Sequence, residues 1–328
     1  MTLTHLSFVR GANRWMVAVS LALSLWNLPA CVMAQPPSDT IDAQHAYIEQ
    51  EATLVINGTT RRYRHFTPAV TRGTIAPKLL VVGGSGCADL GARMAGLFAT
   101  VADRIEIFYL EKSGVQHLSD GEKCSPEYLQ HDNFDERVSD TAYFINHEQT
   151  LRSQPDDALT VLGLSEGGNV AAAIAGTERR IGRLAIVGSG GMPQVDEFRL
   201  LAEQHRIPID PDALEHAIDS IRRSASIDHF FLGHTYKHWQ SFLFIDPIEL
   251  YRKVNVPTVV AVGECDEWMP IESAHVLQKY FASVNHAQSV VIYPGADHSL
   301  RAGEIRYGLR FLEDLVIWMH DPSHQFSY

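Results

Sequence analysis

The spacing of hydrophobic residues changes along the chain, and each change marks an element. Two runs rich in β-branched and aromatic residues, 47–56 and 59–66, flank Asn57-Gly58, the strongest short hairpin signal. Compact apolar runs follow at 78–82, 105–110, 159–164, 183–187, 258–262 and 289–293, most of them Val, Ile and Leu. These runs lack the alternation of a half-exposed strand, so they predict strands buried on both faces, as in a parallel sheet. Stretches with helical spacing lie at 90–101, 136–151, 168–177, 271–281 and 302–320. A hairpin leading into alternating strands and helices predicts an α/β fold, a mostly parallel sheet covered by helices. Residues 194–253 break that rhythm: they hold Pro208, Pro211 and the aromatics Phe230, Phe231, Tyr236, Trp239, Phe242 and Phe244, but no strand of the sheet. This segment predicts a helical cap inserted between two core strands.

The first 34 residues read as a signal segment rather than as part of the fold. Arg10 and Arg14 form a basic region without acids, residues 16–25 are apolar, and Val32-Met33-Ala34 before Gln35 is a small-residue cleavage pattern. This predicts export, to the periplasm or outside the cell, with a mature start at Gln35. An anchor needs about 20 apolar residues, and Asn27 and Pro29 interrupt this run. Lipidation at Cys31 is the alternative, but Pro29 fits a lipoprotein box poorly. The mature region, 35–328, is long enough for one domain with an insertion. A formal charge of −12 without any long run of Lys or Arg argues against nucleic acid as a partner. Export also lets thiols pair; if Cys31 leaves with the signal, Cys87, Cys124 and Cys265 remain.

The sharpest chemical signal is Gly163-Leu164-Ser165-Glu166-Gly167-Gly168, directly after one predicted strand and directly before an Ala-rich helix. A serine nucleophile at so tight a turn needs small neighbours, and a helix starting there points N–H groups at a developing oxyanion. A serine at neutral pH needs a base, and the base needs an orienting acid. His298 lies in Gly295-Ala296-Asp297-His298 after the strand 289–293, and Asp266 in Gly263-Glu264-Cys265-Asp266-Glu267 after the strand 258–262. The order Ser165, Asp266, His298, each on a loop after a strand, is where open sheets gather their active sites.

With these three loops the chain resembles the α/β-hydrolase fold family from residue 47 to the last helix. The resemblance implies an eight-stranded sheet, a helical cap after the sixth strand, and hydrolysis through an acyl-enzyme, with Ser165 as nucleophile, His298 as base and Asp266 as orienting acid. It also implies an oxyanion hole built from the N–H of Glu166 and one from the loop after the third strand, where Gly83 replaces the usual His; Ser85 is favoured, then Gly86. Cys87 follows that loop and Cys124 lies in the excursion after the next strand, so a Cys87–Cys124 disulfide would brace it. Cys265 is then expected to be a packed thiol.

No cofactor is expected, because Gly83-Gly84-Ser85-Gly86 matches neither the dinucleotide fingerprint nor the phosphate-binding loop. His229, His234 and His238 lie in the cap, but without a recognisable third ligand they predict no metal. Tyr236 and Trp239 are candidates for the substrate pocket, against a simpler role in the cap core. The expected reaction is hydrolysis of a small carboxylic ester. A peptidase of the prolyl-aminopeptidase type is the alternative, for which Glu197, Glu203 and Asp212 could bind a free amine, and a binding protein without turnover is a third.

Overall fold

The computed structural model describes residues 47–70, 76–284 and 287–327. The expected signal segment 1–34, its cleavage after Ala34 and the alternative lipidation of Cys31 lie outside the described residues. The chain opens with β1 (Tyr47–Ile56) and β2 (Thr59–Pro68), an antiparallel hairpin turning at Asn57-Gly58. The remaining strands of the main sheet are β3 (Lys78–Val82), β4 (Glu106–Leu110), β5 (Leu159–Leu164), β6 (Ile181–Val187), β7 (Thr258–Gly263) and β8 (Gln288–Tyr293). Their spatial order is β1-β2-β4-β3-β5-β6-β7-β8, and every pairing from β4 to β8 is parallel.

The unbroken apolar runs have the expected cause. Leu80, Val82, Val161, Ile186 and Val260 face one core with the helices Phe134–His147, Gly167–Ala175 and Ile271–Ser283. Their neighbours Leu79, Val81, Leu162, Ala185 and Val259 face a second core with Met94, Phe98, Phe311 and Leu315. Alternate residues therefore serve opposite faces, and each large side chain contributes about 1.5–3 kcal/mol by leaving water.

Three helical expectations change. Residues 90–101 are three short turns, Gly91–Arg93, Met94–Leu97 and Ala99–Val101, because Gly91 and Gly96 weaken the helix. The helix expected at 136–151 starts at Phe134, capped by Asn133, and stops at His147; Glu148 then caps a fresh turn, Gln149–Arg152. The last helix starts at Tyr307 rather than 302, since Arg301–Ala302 pairs antiparallel with Ile305–Arg306. The short helix Pro126–His131, capped by Ser125, was not foreseen.

The cap is inserted between β6 and β7. It comprises the helices Gln194–Glu203, Pro211–Arg223, Tyr236–Phe242 and Pro247–Tyr251 and a two-residue ribbon, Phe230–Phe231 with His234–Thr235. Phe198, Leu201, Ile218, Trp239 and Leu243 give it a core of its own, and Tyr236 packs against that core. The Trp239 indole donates to the Phe231 carbonyl. Tyr236 and Trp239 are thus cap-core residues and not the pocket lining for which they were candidates: a large buried indole is most stable where its N–H finds an acceptor.

The loop after β8 leans on the end of β7. A Cβ on Gly263 would come within 2.3 Å of the carbonyl oxygens of both Ala296 and Asp297. Gly263→Ala should therefore cost about 1–3 kcal/mol, as overpacking does, and displace the loop carrying His298. A denaturant melt checks this, and an unchanged midpoint would show that the loop yields freely.

Candidate active site

β5 ends beside β3 at the carboxyl edge of the sheet, with Val82 paired to Gly163. Ser165 follows with φ of 51°, a left-handed conformation that costs a side-chain-bearing residue about 1 kcal/mol or more. The neighbouring structure holds it there. The helix Gly167–Ala175 begins two residues later, and a Cβ on Gly167 would stand 2.4 Å from the carbonyl oxygens of Val82 and Gly83. Only glycine allows this approach. The Ser165 N–H donates to Val187 O at 2.7 Å, and Ser189 Oγ donates to the Ser165 carbonyl at 3.1 Å.

The structure brings the three residues of the sequence pattern into contact. His298 Nε2 lies 2.9 Å from Ser165 Oγ, and His298 Nδ1 lies 2.7 Å from Asp266 Oδ2. Asp266 is almost fully buried, and its Oδ1 accepts the N–H groups of Trp268 and Met269, each at 2.9 Å. The two neighbouring acids take other work: Glu264 accepts the Gly295 N–H at 2.9 Å, and Glu267 accepts the His298 N–H at 3.3 Å. Burial would lower the His298 imidazolium, but the hydrogen-bonded Asp266 carboxylate, with Glu267 and Asp297, holds it above its ordinary value. A serine hydroxyl, a base and a fixed acid in this order can carry out nucleophilic displacement at a carbonyl.

The loop after β3 is anchored from behind. Lys112 donates to the carbonyls of Gly84, at 2.9 Å, and Gly86, while Arg137 donates to the carbonyl of Gly83. Gly84 lies against Ser165; a Cβ there would be 3.2 Å from Ser165 Cβ. A trans peptide points its C=O and the following N–H in opposite directions, so the clamp on Gly84 turns the Ser85 N–H away from Lys112. Gly86 makes no such approach, since no atom lies within 4 Å of its Cβ position. The disulfide Cys87–Cys124, with Cα atoms 5.5 Å apart, ties the loop to the excursion after β4. Cys265, on the acid loop, is half-exposed rather than sealed in a core, which corrects the expectation of a packed residue.

Sequence reasoning missed the charges beneath Ser165. The Glu166 side chain turns inward to Arg137, at 2.6 Å, and to His238 Nε2, at 2.9 Å. His238 Nδ1 faces Asp132 at 3.0 Å, and Asp132 also accepts from Tyr128. Asp132, His234 and His238 bring ligand atoms within 4.8 Å of one another, so the structure supplies the third candidate ligand that spacing did not. Both nitrogens of His238 already face carboxylates. Burial opposes the imidazolium, yet Glu166 and then Asp132 raise it, which describes an ion-paired cation rather than a neutral ligand. Lys112 and Arg137 also bear on Asp132 and lower its carboxyl against its burial. That positive surrounding fits a divalent cation poorly.

Residues 237–307, a segment that holds Asp266 and His298 but not Ser165, match the Dienelactone hydrolase family. Among solved structures, a hypothetical protein from Pseudomonas aeruginosa is similar at TM-score 0.61 and 13% identity, over 88% of this chain and 98% of that one. Est1E from Butyrivibrio proteoclasticus is similar at TM-score 0.54 and 13% identity, over 83% and 98%. The chain has the α/β-hydrolase fold. A puromycin hydrolase shares this hydrolase fold at TM-score 0.61 and 16% identity over 86% of this chain, which spans only 40% of that enzyme's length. No curated protein sequence gives a match.

As in an open α/β sheet generally, the cavity of this hydrolase fold lies beyond the carboxyl ends of the strands. It measures about 50 Å³, and Ser165, His298, Asn169, Gln194, Glu197 and Trp268 all reach it. Of the three acids considered for amine binding, Glu197 is buried in this cavity, whereas Glu203 and Asp212 are exposed. The cap residue Arg206 donates to the carbonyl of Asp266, tying the cap to the acid loop. Because Asp266 favours the protonated ring, His298 should titrate above the ordinary value of about 6.5. Asp266→Asn should bring that titration down. Proton NMR of the His298 ring checks it, and an unmoved titration in the variant would contradict the electrostatic role given to Asp266.

Proposed function

We propose that this chain is a serine hydrolase that cleaves small carboxylic esters through an acyl-enzyme, and that it works after export. The observation that carries the reading is the continuous chain of contacts from Ser165 Oγ through His298 to Asp266, at 2.9 and 2.7 Å, with the serine on a strained strand-to-helix turn. Ser165 attacks the carbonyl carbon while His298 Nε2 takes its proton; the alkoxide of the tetrahedral intermediate then expels the leaving group, to which His298 returns the proton. Water repeats the sequence on the acyl-enzyme. Asp266 keeps the His298 proton on Nδ1, so that Nε2 is free to act as base. The N–H groups of Ser85 and Glu166 are the proposed oxyanion donors: the Ser85 peptide is fixed by Lys112, and the Glu166 N–H opens the helix Gly167–Ala175. Gly86 is the weaker candidate, because nothing places it near Ser165.

A cavity of about 50 Å³ suits a short acyl group better than a long chain. The basic and apolar pattern of residues 1–34 supports export, and the Cys87–Cys124 disulfide fits an oxidising compartment. Among the described residues no helix is long and apolar enough to cross a membrane. Sequencing the amino terminus of protein recovered from the periplasm or medium tests the export proposal, and an intact Met1 would count against it.

Purified protein should react with a fluorophosphonate probe at Ser165, since only an activated serine attacks phosphorus at a useful rate. Ser165→Ala should abolish both labelling and ester turnover; labelling that persists there would remove the assignment. Asp266→Asn should lower kcat by a factor on the order of 10⁴ with little change in KM. Glu264→Gln and Glu267→Gln should each cost far less, because those acids hold loop backbone and not the ring. An inactive Glu267→Gln beside a near-normal Asp266→Asn would transfer the acid role to Glu267.

A further inference from the structure

The cavity beside Ser165 contains one carboxyl that ester hydrolysis does not use. Glu197, in the first turn of the cap helix Gln194–Glu203, is 7% exposed and lines this cavity together with Ser165 and His298. Its Oε1 accepts from Ser273 Oγ at 2.6 Å, and among the described residues no Lys or Arg is paired with it. Burial pushes the carboxyl up to about 8, with the Ser273 hydrogen bond opposing and the Asp266 charge adding. Such a group lies near its protonation boundary, so a cation entering the cavity tips it to the carboxylate.

A buried acid with no Lys or Arg partner, and only His298 as a cation in the same cavity, is an expensive way to fill a helix face that Leu or Met would fill at no electrostatic cost. We propose that Glu197 binds an ammonium group on the acyl part of the substrate, which makes the substrate class aminoacyl esters or amides with the amine a few bonds from the carbonyl. The assignment rests on the hydrolase reading of Ser165. It falls on the acyl part because that part stays bonded to Ser165 while the leaving group departs, and a cavity of about 50 Å³ encloses only a few atoms next to the serine. The surroundings favour a cation too: the chain carries a net charge of −12, and Glu264, Glu267 and Asp297 lie on the acid and histidine loops.

The test compares kcat/KM for L-alanine methyl ester with that for N-acetyl-L-alanine methyl ester, which differ in the cationic amine. Wild type should favour the free amine by about 30-fold or more, the scale of a buried charge pair. Glu197→Gln keeps the size of the side chain and an acceptor for Ser273, and should bring the ratio close to one, mainly through KM. Glu203→Gln, exposed on the same helix, should leave the ratio where it was. A wild-type enzyme that does not prefer the free amine, or a Glu197→Gln variant that loses both substrates equally, overturns the proposal. Should that variant fail to fold, the wild-type ratio decides alone. Ser165→Ala separates the two readings: turnover surviving in it removes the hydrolase assignment, whereas its loss beside a flat wild-type ratio removes only the amine.

Discussion

The site depends on how closely the start of one helix can approach the end of a neighbouring strand. Gly167 sits beneath the carbonyls of Val82 and Gly83, where any side chain would meet both oxygens at 2.4 Å. With that contact made, the chain has a single residue, Glu166, between Ser165 and the helix, and the serine must take the left-handed turn. The same contact sets the loop after β3 beside Ser165. Parallel order then does the rest: β7 and β8 follow β6 across the sheet, so the loops carrying Asp266 and His298 leave from the same edge.

What fixes the loop after β3 is charge rather than packing. Lys112, Arg137 and His238 are interleaved with Asp132 and Glu166 beneath Ser165, and the two cationic side chains Lys112 and Arg137 end on the loop's carbonyls. Buried ion pairs seldom add stability over apolar residues of the same volume, because desolvation consumes most of the attraction. They do impose direction, since each cation accepts only a few positions for its partners. A loop rich in glycine has little direction of its own, and an oxyanion donor is useful only if it does not reorganise during the reaction. Replacing this network with hydrocarbon would keep the volume and lose the orientation.

The parts of this arrangement that were legible in the sequence were those encoded by local neighbours. Eight strands, the Asn57-Gly58 turn, the cap insertion and the placing of Ser165, Asp266 and His298 after strands all follow from patterns within about ten residues. Contacts made across the chain were not legible. Arg137 and Glu166 are 29 residues apart, His238 lies far along in the cap, and nothing around Lys112 marks it as a clamp. Tyr236 and Trp239 could be given two roles for a related reason: a cluster of aromatics shows that something is buried, and composition does not reveal whether it lines a cavity or packs against its own helices. The break at residues 90–101 was visible in Gly91 and Gly96.

Three acids around Ser165 differ in what meets them, and that difference distinguishes them. Asp266 receives the His298 ring and two backbone N–H groups, so its carboxylate is held on every side and can only orient. Glu166 receives Arg137 and His238, and these cations lower its carboxyl against full burial, leaving it a fixed anion under the turn. Glu197 receives one hydroxyl, from Ser273, and is raised instead. The side chains are chemically alike and their depths similar, so neither residue type nor burial separates them. The number of donors already in place does: an acid whose partners are all supplied by the protein is part of the frame, and one left short of partners at a cavity wall is open to a partner from outside.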